Sequence, residues 1–244
     1  MGFKRIDVLL VERGLAESRE KAQRLIMGGF VFSGSRRLCK PGCLFDEKLP
    51  LSVAGQIKFV SRGGEKLEKA FSVFELDVNG KICLDIGAST GGFTDCLLQH
   101  GAAKVYAVDV GYGQLHWRLR QNPKVVIMER INARYLSPDM FAEKPSVATI
   151  DVSFISLTMI LPPVIQVLTD DAVIVTLVKP QFEAGYKEVR KGVVRDENVR
   201  KDVLRKMKEF GEKKAYLKYV GECESPLRGP AGNIEYLMCW RKEG

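Results

Sequence analysis

The 244-residue chain has little that would indicate a metal site or a disulfide-stapled fold. It contains two histidines and six cysteines, and no two cysteines form a C-x-x-C pair. Zinc-site spacing is therefore absent, and we expect no bound metal. We expect the cysteines to be reduced thiols in a cytoplasmic protein, because disulfides are rare in that compartment.

Long hydrophobic runs are also scarce. No charged residue occurs from Val152 to Thr169, a stretch of 18 residues that reaches the lower limit for a membrane-spanning helix. Pro162 and Pro163 stand in its middle, and proline inside a helix costs about 3 kcal/mol. We therefore expect a strand end followed by a covered helix, and no stable membrane association. The start, Met1 to Val11, is charged and predicts no secretory signal.

The charge is basic and unevenly distributed, with 38 Lys and Arg against 30 Asp and Glu. Residues 1–69 carry 14 basic and 8 acidic side chains, and residues 187–218 carry 12 and 6. The segment between them, 70–186, carries 9 basic and 12 acidic side chains. This pattern predicts two nucleic-acid-facing surfaces around a small-molecule site. Solvated helix faces are the alternative explanation.

The first 55 residues are predicted to form a small α+β domain, followed by a linker over 56–62. Apolar residues recur at helical spacing around Ile6–Leu10 and again around Ala22–Ile26. Short strands are predicted at Phe30–Phe32 and Leu51–Val53, with a turn at Ser33–Ser35. A chain this short buries little apolar surface, so it suits a docking module better than a catalytic one.

This segment resembles the small RNA-binding domain first known from a ribosomal small-subunit protein. The resemblance rests on Arg5-Ile6-Asp7 and on Ser18-Arg19-x-x-Ala22-x-x-Leu25-Ile26. It implies binding to rRNA or ribosomal subunits through phosphate contacts. The residues expected to bind RNA are Arg5, Ser18, Arg19, Lys21, Arg24, Arg36, Arg37 and Lys40.

From Lys81 onward, apolar strands alternate with helices, which predicts an α/β domain over 63–244 with a parallel sheet covered on both faces. The predicted strands are 82–86, 104–108, 125–128, 147–150, 172–178, 217–221 and 234–240. Asp85, Asp109, Asp151 and Lys179 fall at or just beyond carboxyl ends of these strands. Ligands bind at that edge of such sheets.

The sharpest local motif is the glycine-rich turn from Gly87 to Gly92 that follows Asp85. It matches neither G-x-G-x-x-G nor the P-loop pattern, so a dinucleotide or a nucleoside triphosphate is less expected. Asp85 is predicted to face a cationic ligand head, and Asp109, 18 residues after Gly91, to bridge ribose hydroxyls. These features favour a turn that binds S-adenosylmethionine. The alternative is an ordinary tight turn of an α/β sheet that binds no ligand. The expected cofactor-binding residues are Asp85, Gly87, Ala88, Ser89, Thr90, Gly91, Gly92, Phe93, Thr94, Asp109, Val110, Gly111 and Asp151.

From Arg62 the chain resembles the FtsJ-type RNA 2′-O-methyltransferases. The segments that carry the resemblance are Arg62-Gly63-Gly64-x-Lys66-Leu67, Asp85 to Thr94, Asp109-Val110-Gly111, Asp151 to Ser156, Val178 to Glu183, and Gly229-Pro230-x-Gly232-Asn233-x-Glu235. With the basic N-terminal segment, the whole chain is similar to the TlyA, or haemolysin A, family of rRNA methyltransferases. The resemblance implies a Rossmann-like class I S-adenosylmethionine methyltransferase domain that modifies the ribose 2′-hydroxyl of a cytidine in 16S or 23S rRNA.

The same resemblance implies a catalytic tetrad of Lys66, Asp151, Lys179 and Glu235. A lysine acts as a base when its pKa falls from about 10.4 towards 7–8. One of the two lysines is therefore expected to be the base, with Lys179 favoured. Two other functions stay open: a membrane-active cytolysin, and a non-catalytic ribosome-assembly factor.

Overall fold

The computed structural model describes residues 2–34, 36–53 and 58–243. The chain divides into two compact units, Met1–Ser61 and Arg62–Gly244. The predicted domain limits, 1–55 and 63–244, stay predictions. Residues 54–57, which include part of the predicted linker, lie outside the described residues, as does Ser35 of the predicted turn.

The described residues of the first unit form two helices and five short strands. These are β1 Phe3–Arg5, α1 Ile6–Glu12, α2 Arg19–Gly28, β2 Val31–Ser33, β3 Arg36–Arg37, β4 Leu44–Asp46 and β5 Ser52–Val53. Strand β1 pairs with β4, while β2 lies between β3 and β5, and all pairs are antiparallel. The sequence did not predict β1, β3 or β4, because two or three mostly exposed residues carry no readable alternation.

The two helices of the first unit pack around a small apolar core that includes Ile6, Leu10 and Ile26. The side chain of Ser18 accepts a hydrogen bond from the Lys21 backbone N–H at 3.2 Å and so caps the N-terminus of α2. Ser18 therefore has a structural role in starting the helix that carries several of the basic residues.

The second unit is one seven-stranded sheet with its helices. The strands are β6 Ile82–Ile86, β7 Lys104–Asp109, β8 Val125–Glu129, β9 Val147–Ile150, β10 Val173–Val178, β11 Leu217–Glu224 and β12 Tyr236–Lys242. The helices are α3 Gly63–Phe74, α4 Gly92–Gln99, α5 Trp117–Arg120, α6 Leu161–Val167, α7 Pro180–Glu183 and α8 Glu197–Lys213. The strand order is β11-β12-β10-β9-β6-β7-β8.

The sheet is mixed rather than parallel throughout, because β12 runs antiparallel to both β10 and β11. The physical reason is the connection between β11 and β12. Residues 225–235 contain no α-helix that could return the chain to the other end of the sheet, as a parallel crossover requires. Glu235, expected within the last strand, lies one residue before β12. Its side chain is thereby placed at the carboxyl edge of β9 and β10.

The uncharged run Val152–Thr169 is divided between a single 3₁₀ turn, Leu157–Met159, and the seven-residue helix α6. Pro162 and Pro163 lie in the first turn of α6, where the missing N–H has no intrahelical partner to lose. Among residues 2–34, 36–53 and 58–243, no helix is both long and apolar enough to cross a membrane.

Helix α8 buries one apolar face and exposes a charged one. Val203, Leu204 and Met207 are buried, whereas Lys201 pairs with Glu197 and Arg205 with Glu209 along the helix. These pairs, four residues apart, neutralise part of the basic segment that the sequence shows. The solvated-face explanation therefore applies to at least part of residues 187–218.

The sheet reverses its strand order between β6 and β9, which are neighbours although β7 and β8 come between them in sequence. The chain leaves β6 through Gly87, whose φ is +81°. A Cβ atom on Gly87 would lie 2.3 Å from the carbonyl oxygen of Asp151. The first residues after the two strands therefore touch through their backbones, and only glycine fits.

We predict that Gly87→Ala destabilises the second unit more than Gly80→Ala does. Both glycines have positive φ, but a Cβ on Gly80 meets no atom within 4 Å. Backbone strain is about 1–2 kcal/mol at either position, and the clash at Gly87 adds about 1–3 kcal/mol. Urea unfolding measures both variants. Equal losses in unfolding free energy would contradict the close approach.

Candidate functional site

Asp85, the last polar side chain of β6, is fully buried. Its two carboxylate oxygens accept hydrogen bonds from the hydroxyls of Thr94 (2.6 Å) and Thr149 (3.1 Å). Burial raises the pKa of Asp85 to about 7, against the lowering effect of the two threonines. The carboxylate thus ties β6 to β9 and α4, and it lies behind the glycine-rich turn instead of facing a ligand head from the cavity.

Asp109, the last residue of β7, holds the two neighbouring turns together. Its oxygens accept the backbone N–H groups of Ser89 at 2.8 Å and Gly111 at 2.7 Å. Each carboxylate oxygen keeps acceptor capacity beyond these bonds. Asp109 can therefore receive a hydroxyl pair while its orientation stays fixed by the backbone.

A cavity of about 470 Å³ opens at the carboxyl edge of the sheet, beside the reversal of strand order. That volume is within the usual range for small-molecule sites, and the position is the one expected for ligands of α/β sheets. Of the predicted cofactor residues, those that line it are Gly87, Ser89, Asp109, Val110 and Asp151. Further lining residues that the sequence did not single out include Gln114, Asn132, Ala133, Ser153 and Phe154.

The remaining predicted cofactor residues are not among those that line this cavity. They are Asp85, Ala88, Thr90, Gly91, Gly92, Phe93, Thr94 and Gly111. Phe93 and Thr94 are buried residues of α4, and a Cβ on Gly91 would lie 2.2 Å from Leu119. These packing contacts hold the turn and the start of α4 in place.

The four predicted tetrad residues form two ion pairs at this edge. Lys179 Nζ lies 2.5 Å from Asp151 Oδ1, and Lys66 Nζ lies 2.6 Å from Glu235 Oε2. Lys179 and Glu235 each lie one residue beyond the last paired positions of β10 and β12. Directly opposite residues of antiparallel strands have Cα atoms about 5 Å apart. The two ion pairs are therefore neighbours.

The Lys179 ion pair borders the cavity. Lys179 is only 8% exposed, and its ammonium group also donates to the hydroxyl of Ser153 at 2.9 Å. Both partners, Asp151 and Ser153, line the cavity. A buried cation is thus held beside the cavity by two groups that face into it.

Glu235 is held by loop geometry that the residue spacing did not reveal. It is 1% exposed, and a Cβ on Gly229 would lie 2.0 Å from its Oε1. The side chain of Asn233 bonds the backbone of Gly192 at 2.8 Å and of Val194 at 3.2 Å. The segment Gly229-Pro230-x-Gly232-Asn233 therefore fixes the buried carboxylate to which Lys66 binds.

Glu183 anchors the loop that follows β9. Its carboxylate accepts from the Ser156 hydroxyl at 2.6 Å and from the Leu157 N–H at 2.8 Å. Phe154 in this loop has a φ of +63° and is 90% exposed. An exposed aromatic ring in a disfavoured backbone conformation at the cavity rim is a feature of functional sites.

In the first unit, a buried carboxylate organises two of the predicted RNA-binding arginines. Asp7 is fully buried and accepts from Arg5 Nε (3.0 Å) and Arg5 Nη2 (2.7 Å). Arg19 Nη2 lies 3.5 Å from the same carboxylate, and Gln23 donates at 2.9 Å. The bond from Arg5 holds the pKa of Asp7 well below its usual range. Both guanidinium groups are about half exposed, so each keeps donors for an anion.

Arg37 differs from the other basic residues of this set. Its guanidinium donates to the carbonyl oxygens of Gly29 at 2.9 Å and Gly28 at 3.0 Å, which end α2. Arg36 and Lys40 are exposed, and Lys21 and Arg24 are half-buried. The structure thus brings Arg5 and Arg19 together and assigns Arg37 a helix-capping role.

We predict that Asp85 makes stability fall as pH rises towards neutrality. Its folded-state pKa of about 7 lies above the unfolded value, so the native state holds the extra proton and the contribution of Asp85 to stability is greatest below pH 4. That contribution is lost as pH rises through about 7; from pH 5.5 to 7 the loss is about 2 kcal/mol. Thermal or urea unfolding of the wild type and of Asp85→Asn across this range measures it. A parallel pH dependence in the two proteins would contradict the assignment.

Comparisons with known proteins agree with this geometry. The FtsJ-like methyltransferase family matches residues 59–242, and the S4 domain matches residues 4–41. "Putative rRNA methyltransferase YqxC" of Bacillus subtilis is 54% identical, over 99% of this chain and 87% of that protein. "16S/23S rRNA (cytidine-2'-O)-methyltransferase TlyA" of Mycobacterium tuberculosis is 44% identical, over 98% and 90%. The solved "Putative hemolysin from Streptococcus thermophilus" is 47% identical with a TM-score of 0.79, covering 100% of this chain and 90% of that one.

Proposed function

We propose, from the premise that this chain belongs to the FtsJ-like methyltransferase family, that it transfers a methyl group to the ribose 2′-hydroxyl of a cytidine in 16S or 23S rRNA. The observation that carries the proposal is the Lys179 ion pair beside the cavity. The full-length relative named as an rRNA (cytidine-2'-O)-methyltransferase supports the choice of substrate.

The cavity fits S-adenosylmethionine as the methyl donor. Its volume of about 470 Å³ suits a nucleoside-sized ligand. Asp109 would hold the ribose hydroxyls, Gly87 and Ser89 would lie against the ligand, and Asp151 would face its cationic part. When bound, this cofactor supplies an electrophilic methyl group on a sulfonium. Asp85 would contribute by holding the turn in place.

The tetrad supports proton removal from the attacking hydroxyl. Lys179 would accept the 2′-hydroxyl proton on Nζ as this oxygen attacks the electrophilic methyl group that the cofactor would supply. Asp151 and Ser153 hold Nζ in place during this step. Lys66, fixed by Glu235, orients the ribose or a neighbouring phosphate. Positioning of the reacting groups contributes about 7–11 kcal/mol to such reactions.

The target nucleotide has to leave its paired position for its ribose to reach the cavity. Phe154 and Phe182 lie 5.1 Å apart between ring centroids beside Asp151 and Lys179. Unstacked bases are held in RNA-binding proteins by stacking on aromatic side chains. The exposed face of Phe154 is suited to this role.

The first unit supplies RNA binding. It matches the S4 domain, and its Arg5 and Arg19 are organised by one buried carboxylate. Guanidinium groups form paired hydrogen bonds with phosphate, which fixes the position of RNA without reading its sequence. We assign to this unit the capture of structured rRNA. We include a cytoplasmic location in this proposal, because modification of rRNA requires it.

The membrane-active alternative rested on the uncharged run Val152–Thr169, which forms a 3₁₀ turn and a helix of seven residues. The non-catalytic alternative would need a blocked or degenerate cofactor cavity, whereas the described cavity is open and is lined by Asp151, the partner of Lys179. The methyltransferase proposal is consistent with both the short helix in the uncharged run and the open cavity.

We predict that Lys179→Met lowers methyl transfer to rRNA at least about 100-fold, because general-base action contributes about 10²–10⁴-fold. Methionine keeps the buried volume, and S-adenosylmethionine binding is expected to persist within a few-fold. Tritiated methyl transfer and calorimetry measure the two effects.

The matched control for this experiment is Lys242→Met. Lys242 is also a partly buried, ion-paired lysine, but it pairs with Asp170 at the opposite edge of the sheet. The rate of methyl transfer by Lys242→Met should stay near the wild-type rate. Full activity of Lys179→Met would remove the proposed mechanism, and no binding of S-adenosylmethionine to the wild type would revive the non-catalytic alternative.

We predict that Arg5→Ala weakens rRNA binding and reduces the slope of log affinity against log salt by about 1, since one phosphate contact is lost. Arg13→Ala is the control, because its guanidinium binds the carbonyl oxygens of Leu49 and Glu47. Filter binding at several salt concentrations measures both. An unchanged slope in Arg5→Ala would argue against a phosphate contact at this residue.

A further inference from the structure

Helices α3 and α4 bring three potential metal ligands together away from the cavity. Glu68 lies in α3, while Cys96 lies in α4 and His100 is its C-cap. Residues four apart lie on the same face of a helix, so Cys96 and His100 face α3 one turn apart. The sequence did not predict this cluster, because Glu68 lies 28 residues before Cys96 and no C-x-x-C pair is present.

Two of the three separations between the ligand atoms are close to those of a tetrahedral metal site. His100 Nε2 lies 2.9 Å from Glu68 Oε2, and Cys96 Sγ lies 3.7 Å from the same oxygen. All three ligand atoms lie within 4.8 Å of one another. Zinc bonds of about 2.1 Å to nitrogen or oxygen and 2.3 Å to sulfur place tetrahedral ligand atoms about 3.4–3.6 Å apart. Shifts of about 0.5 Å or less at the two measured separations would reach that geometry.

The surroundings favour a defined site. The imidazole ring of His100 stacks on Phe71 of α3, with centroids 3.7 Å apart and planes within 9°. This contact fixes the ring plane and directs Nε2 towards Glu68. Cys96 is buried, whereas the side chains of His100 and Glu68 are about one-third exposed. An ion can therefore enter from solvent, and water can fill the fourth position.

We propose that Glu68, Cys96 and His100 form a binding site for Zn²⁺ that links α3 to α4. One thiolate, one imidazole and one carboxylate are ligands that zinc accepts, whereas Mg²⁺ and Ca²⁺ select all-oxygen sites. The sequence-based expectation of no metal followed from cysteine and histidine spacing alone. The site is separate from the reaction centre, but Lys66 lies two residues before Glu68 on α3. The glycine-rich turn leads directly into α4.

The test uses Co²⁺ as a spectroscopic substitute for Zn²⁺ in the full chain. Cys39 and Cys43 are exposed thiols, so the experiment is done in a Cys39→Ser/Cys43→Ser background to remove competing ligands. The protein is stripped with a chelator, kept reduced and titrated with Co²⁺. We expect one equivalent to bind with a near-ultraviolet thiolate-to-cobalt band, and Zn²⁺ to abolish the band.

Variants connect the signal to these three residues. Cys96→Ser should eliminate the thiolate band, and Glu68→Gln and His100→Gln should each weaken Co²⁺ binding at least tenfold. Cys223→Ser, which removes a half-buried thiol outside the cluster, should bind like the parent. Circular dichroism of the metal-free proteins checks folding.

Absence of the band in the parent protein, or its persistence in folded Cys96→Ser, would overturn the proposal. If Cys96→Ser does not fold, His100→Gln decides, and an unchanged Co²⁺ affinity in it would also overturn the site. None of these measurements uses methyl transfer, so failure here is distinguishable from failure of the proposed function.

Discussion

The contact between the ends of β6 and β9 is the constraint on which the rest of the second unit depends. Gly87 and the Asp151 carbonyl touch, and Asp85 joins both strands through hydroxyls of Thr94 and Thr149. Because the sheet reverses its order here, the chains leaving β6 and β9 diverge and leave a cavity above them. The same contact fixes Asp151, and through it Lys179. The proposed cofactor site and the proposed reaction centre thus share one anchor.

Much of this arrangement could be predicted from sequence. Asp109, Asp151 and Lys179 follow apolar strands, and carboxyl ends of parallel strands meet at one edge. The position of Glu235 could not be derived this way, because it depends on β12 running antiparallel after a loop without an α-helix. Its place beside Lys66 was expected from family resemblance alone, and the ion pair at 2.6 Å agrees with it.

Two residues that act through loops lie in motif segments of the sequence, but the sequence predicted no role for either of them. Ser153 binds Lys179 and Glu183 holds the chain after β9, yet neither belongs to a periodic pattern. The hydrogen bond between Glu68 and His100 joins two helices, and these two residues are 32 positions apart in sequence. Asp85 differs from these: its position at a strand end predicted a ligand contact, and the structure shows its carboxylate buried and bonded to two threonine hydroxyls. Position along a strand predicts proximity to a site, and side-chain surroundings decide the role.

The burial of the two ion pairs is itself an argument for function. Lys179 is 8% exposed and Glu235 1%, and removing such charges from water costs several kcal/mol per ion. Apolar side chains of similar volume are often neutral or stabilising in place of a buried ion pair, so folding alone gives no reason for two of them. Both pairs lie at the edge where the cavity opens, and no stability requirement would concentrate them there. A reaction that moves a proton beside a cationic donor does require fixed, desolvated amines and carboxylates at that edge.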